Sequence, residues 1–160
     1  MDEQPAAKIE RTTSGVTAEL TASLVGLDAV IMPGIPGMSA AALGLDGSAF
    51  PSSTTDVMKI LREQGLKVEF EARDGAHPLV SHKAADWWVP ITVFIQTSTG
   101  TAAGNLLSQA IMSLIGHRRA DSSVLHVKMG IVKEGGDKIE WFEGHGKGSD
   151  VLKALRIFRG

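Results

Sequence analysis

The chain has 160 residues, 43% hydrophobic and 21% charged, which suits one globular domain with a sizeable core. Its 16 basic and 18 acidic side chains give a formal net charge of −2, and the nearest thing to the concentrated basic field that nucleic-acid binding relies on, His117-Arg118-Arg119, is too short to supply it, so no nucleic-acid partner is expected. There are no cysteines, so disulfides, thiolate zinc sites and a cysteine nucleophile are excluded too.

Residues 1–7 read as a tail, and the acidic, polar start Met1-Asp2-Glu3-Gln4-Pro5 lacks the basic and apolar regions of a secretory signal. A cytoplasmic location is therefore expected. Between Lys8 and Val25, the set Val16, Ala18, Leu20, Ala22 and Leu24 alternates with Thr17, Glu19, Thr21 and Ser23. Period two predicts a strand with one wet face, with an amphipathic helix as the weaker option because Thr and Val lose rotamer freedom there. Residues 26–53 are rich in Gly, Pro, Ala and Ser, and the run from Met32 to Met38 contains Pro33 and Pro36, which bar regular structure. A long loop this apolar is expected to lie against the core or against a partner, with Met32, Ile35 and Met38 as candidate interface residues.

Ser53-Thr54-Thr55-Asp56 opens a helix with Val57, Ile60 and Leu61 as its buried stripe, closed by Gly65. Leu66, Val68, Phe70 and Ala72 alternate with charged residues as a strand, and Asp74-Gly75 marks a turn. The run from Trp87 to Gln96 fits a buried strand or the start of a buried helix with Pro90 in its first turn. Residues 101–115 place Ala103, Leu106, Leu107, Ala110, Ile111, Leu114 and Ile115 at helical spacing, and Gly116 ends that helix. Strands follow at Val124–Val132 and Lys138–Phe142 around a turn at Glu134-Gly135-Gly136-Asp137. Gly144-His145-Gly146-Lys147-Gly148 reads as a flexible link. Ser149-Asp150 then caps a last helix whose apolar face is Val151, Leu152, Leu155 and Phe158.

This order predicts an α+β fold: a single domain over 1–160, with a mixed sheet of about four to five strands and three helices packed on it. No uninterrupted run of about 20 apolar residues offers a stable transmembrane segment.

No catalytic constellation emerges. Gly37-Met38-Ser39-Ala40-Ala41 lacks the last glycine of a serine elbow, and no phosphate loop is present. Asp74, His77, His82 and Asp86 lie close in sequence but without metal-ligand spacing, so no metal and no cofactor are expected. Two segments before helix starts have the amides for an anion: Thr97, Ser98, Thr99, Gly100 and Thr101, and Gly146, Lys147 and Gly148. In both, ordinary capping and turn formation compete with ligand binding. Trp87 and Trp88 are adjacent, and on a strand they face opposite ways, one for the core and the other a candidate anchor for a partner.

Residues 87–158 resemble the effector-associated constant components of bacterial conflict systems. The resemblance rests on the apolar helical segment Gly100 to Ile115, the basic break His117-Arg118-Arg119, the strand pair Leu125–Met129 and Ile139–Phe142, and the closing helix from Asp150. It implies a non-enzymatic accessory module coupled to a defence effector; the proline-rich residues 32–38 depart from it. With an excess of apolar loop sequence and no catalytic constellation, the leading expectation is an interaction domain that uses the 26–53 loop and an apolar face near Trp87-Trp88 to hold a protein partner or a second copy of itself. A small enzyme or binder of a phosphorylated ligand, and a membrane-active effector exposing 88–115, are the alternatives.

Overall fold

A computed structural model describes residues 7–32, 50–70, 79–80, 86–95, 103–133 and 138–158. In chain order its elements are β1 (Lys8–Gly15), α1 (Ala18–Leu24), β2 (Ala29–Met32), β3 (Phe50–Pro51), α2 (Thr54–Glu63), β4 (Val68–Phe70), β5 (Leu79–Val80), β6 (Asp86–Trp88), β7 (Ile91–Ile95), α3 (Ala103–Ser122), β8 (Val124–Val132), β9 (Lys138–Lys147) and α4 (Gly148–Ile157). The fold is α+β, with more strands than the patterning implied.

The main sheet runs β1-β9-β8-β7-β2-β4, with β6 also paired to β8. It is mixed: β8 is parallel to β7 and β6 but antiparallel to β9, and β2 is parallel to β4 but antiparallel to β7. β3 and β5 form a separate parallel pair. Parallel neighbours need long crossovers, and α2 lies in the chain between β2 and β4 as α3 does between β7 and β8.

Alternation along the strands sorts two cores. Leu125, Val127, Met129 and Ile131 of β8 and Phe142 of β9 point to one face, where Val57 and Leu61 of α2, Leu107 and Ile111 of α3, and Val151 and Leu155 of α4 cover them. On the opposite face, Leu20 and Leu24 of α1 pack with Val30, Val93, Val132 and Ile139. That second cover reaches only one end of the sheet.

Three expectations need correction. Residues 18–24 are helix α1, not a strand. Val16, Leu20 and Leu24 also recur at a four-residue spacing, and Thr17 accepts the Leu20 N–H at 3.2 Å as an N-cap, which turns the ambiguous pattern helical. The stretch 26–53 contains a central strand: Ala29, Val30 and Ile31 are fully buried in β2, flanked by β7 and β4. A strand buried on both faces shows no alternation, so its four apolar residues pass for loop. Gly144–Lys147 continues β9 rather than forming a flexible link.

Residues 86–95 resolve into strand on both sides of Val89-Pro90, where the Val89 N–H donates to the His126 carbonyl at 3.0 Å. α3 breaks at Gly116 (φ 74°), as its left-handed backbone requires. α2 and α4 occupy the expected segments, although Ser53 Oγ donates to the Trp88 carbonyl at 2.7 Å instead of capping α2.

Helices α3 and α4 meet at Gly104, where an added Cβ would run into the Leu155 carbonyl. Gly104→Ala is therefore expected to destabilise the chain by about 1–3 kcal/mol in urea unfolding, by forcing backbone apart. At Gly15 a Cβ would meet nothing within 4 Å, and Gly15→Ala is expected to stay within about 0.5 kcal/mol of the parent.

Candidate functional site

Beyond the α1 cluster, the same face of the sheet continues along β8, β9 and β1. Its register sets His126 opposite His145 and Lys128 opposite Glu143 across β8 and β9. Across β9 and β1 it sets His145 opposite Lys8, Glu143 opposite Glu10 and Trp141 opposite Thr12. Directly opposed residues share a face, so two histidines, two carboxylates, two lysines and a tryptophan lie on one surface.

At one end of this surface Lys8, Glu10, His126, Glu143 and His145 line an open concavity of about 320 Å³. The two imidazoles stack with centroids 6.0 Å apart and planes 7° from parallel. This is the geometry of rings standing side by side on adjacent strands. Zinc would need both nitrogens about 2 Å from one point, and among the described residues no group of three or more potential ligands converges for a metal.

At the other end the surface is built by packing. The Trp141 Nε1–H donates to Ser14 Oγ at 2.8 Å, tying β9 to the edge strand. The Lys128 ammonium lies 4.9 Å from the centre of the same ring. Gly130 leaves room for that ring: a Cβ there would lie 3.0 Å from Trp141 Cε3 and 2.7 Å from Ile139 Cγ2. β1 itself is exposed at every residue from Lys8 to Gly15. Its backbone pairs with β9 alone among the described strands.

The residues singled out from sequence are dispersed. Ile35, Met38 and Thr97, Ser98, Thr99, Gly100 and Thr101 lie outside the described residues, as do Asp74, His77 and His82. Met32 ends β2 and packs partly buried in the smaller core. Trp87 packs partly buried against the main core, and Trp88 is 5% exposed on the opposite side of its strand, in register with His126. Gly146 and Lys147 end β9 and Gly148 starts α4, but the Gly148 N–H already donates to the Ser123 carbonyl at 2.9 Å. Asp150 adds a carboxylate to that first turn. Both features oppose anion binding there.

The His126–His145 pair was not anticipated, although the signal for it is in the sequence. The turn expected from Glu134-Gly135-Gly136-Asp137 joins two strands whose register pairs Val132 with Ile139, and stepping outward along both strands brings His126 opposite His145. No helix among the described residues is long and apolar enough to cross a membrane. The apolar positions of 103–115 are in fact core contacts of α3.

If Trp141 is seated over Gly130, Gly130→Ala and Trp141→Leu should be non-additive in stability. A double-mutant cycle by chemical denaturation is expected to give a coupling of about 0.5–3 kcal/mol; additivity would place the ring elsewhere. Comparison with protein-family models, curated protein sequences and solved structures gives no match.

Proposed function

We propose that this chain is a non-enzymatic interaction domain that docks protein through the exposed β1 edge of its sheet and the adjoining face of β9 and β8. The observation that carries this reading is the contrast between the two faces. Among the described residues one face is packed by α2, α3 and α4; on the other, α1 packs with Val30, Val93, Val132 and Ile139, and the sheet finishes in a fully exposed eight-residue edge strand. An exposed edge offers a row of backbone donors and acceptors to an incoming strand. The adjoining Trp141, Lys128 and stacked histidines supply side-chain contacts of the kind found at interfaces. The resemblance of residues 87–158 to effector-associated constant components supports an accessory role beside a bacterial defence effector.

A phosphorylated small ligand is the second reading. The Gly148 amide engaged by Ser123 and the Asp150 carboxylate in the same turn argue against it at 146–148.

A photo-crosslinking residue at Thr12 is expected to capture protein in cells producing the full chain, whereas one at the exposed Lys59 of α2 should not. Equal capture at both positions, or none at Thr12, would overturn the reading. A thermal-shift panel of nucleotides and sugar phosphates is expected to leave the melting temperature unchanged. Saturable stabilisation by one of them would favour the ligand-binding alternative.

A further inference from the structure

The geometry points to a second copy of this chain as the occupant of the β1 edge, paired antiparallel about a two-fold axis at Ile9. This rests on the docking reading above and names its partner. In a symmetric antiparallel pair the two-fold must pass through one residue of the strand if the faces of the two sheets are to match. The sequence Lys8-Ile9-Glu10-Arg11-Thr12 discriminates sharply among those choices. An axis at Glu10 or Arg11 sets like charges directly opposite each other. An axis at Thr12 sets Ile9 opposite a glycine. Only the axis at Ile9 sets Lys8 opposite the partner's Glu10, twice by symmetry, with Ile9 against its own copy.

Three features of the single chain fit this register. Ile9 is 38% exposed in an otherwise polar strand, one of three large hydrophobics exposed among the described residues, and its own copy would shield it. Glu10 stands opposite Glu143, a like-charge pair, and neither Lys8 nor Glu10 belongs to an ion pair among the described residues. The partner's Lys8 brings the missing countercharge to that carboxylate. Lys8 and Glu10 also line the histidine concavity, so the seam joins the two concavities into one surface across the axis. The six strands of the path β1-β9-β8-β7-β2-β4 in each copy would then form one continuous sheet.

Sedimentation equilibrium of the full chain over a concentration series tests this. The expected result is a monomer–dimer equilibrium. Lys8→Glu and Glu10→Lys should each weaken it about tenfold or more, since each turns two attractive cross-strand pairs into two repulsive ones. The double variant Lys8→Glu/Glu10→Lys should recover the parent dimer to within about threefold, because the opposite charges are again paired. Circular dichroism checks that all three variants fold. A chain that stays monomeric at about 200 μM, or a dimer indifferent to the single reversals, or a double variant no better than the singles, would overturn the inference. A monomer that still crosslinks another protein from Thr12 would sink the dimer and leave the docking reading standing. A monomer without such crosslinks would sink both.

Discussion

The strict alternation along β8 is the constraint on which the rest of the structure depends. This strand is hydrogen-bonded to β9 on one side and to β7 and β6 on the other, so every layer of the fold is referred to its register. Leu125, Val127, Met129 and Ile131 are each no more than 3% exposed, and they fix which face receives α2, α3 and α4. A slip of one residue would put His126 and Lys128 into that core, a cost of several kcal/mol for unpaired polar groups. The same alternation then forces His126, Lys128 and Gly130 onto the opposite face, where the α1 cluster takes in Val132, Ile139 and part of Trp141. The polar side chains of that face are thus a consequence of how the main core is built.

Much of this was legible in the residues, and the failures have physical causes. The hairpin of β8 and β9 and the helices α2, α3 and α4 show because each has one buried side and one wet side, which leaves a period in the sequence. β2 leaves none, since Ala29, Val30 and Ile31 are buried on both faces and only four residues long. α1 carries two periods at once, and a single hydroxyl, Thr17 Oγ1 on the Leu20 amide, decides between them. The C-terminal half of β9 is hidden by its glycines. Gly144 is needed there because a Cβ would press on Ile9 Cδ1 at 3.0 Å and on Phe142 Cε1 at 3.1 Å, so what reads as a flexible stretch is a site of close packing.

The candidate site was less legible because it depends on pairing between distant segments. Trp141 and Ser14 are 127 residues apart in the chain yet joined by a 2.8 Å hydrogen bond. Nothing local to either residue announces that contact. The adjacent tryptophans drew attention for their type, and both pack into the fold, while Trp141, partly buried at the smaller core with Lys128 over its ring, lies in the hairpin among charged residues. Burial on a sheet is set by register, and residue type is a poor guide to it where one face is covered by halves. The outcome is a sheet whose strand β2 is fully buried and whose outer strands β8, β9 and β1 carry polar side chains on one face.

The central claim is that β1 is an uncovered edge of this sheet. Residue-resolved amide hydrogen exchange on the full chain at low concentration tests it most directly. The account predicts that β8 amides are among the slowest to exchange, and that β1 alternates between protected amides facing β9 and fast ones facing outward. Uniform slow exchange along β1 at the lowest concentration would show that the edge is already covered within one chain, and would contradict the account.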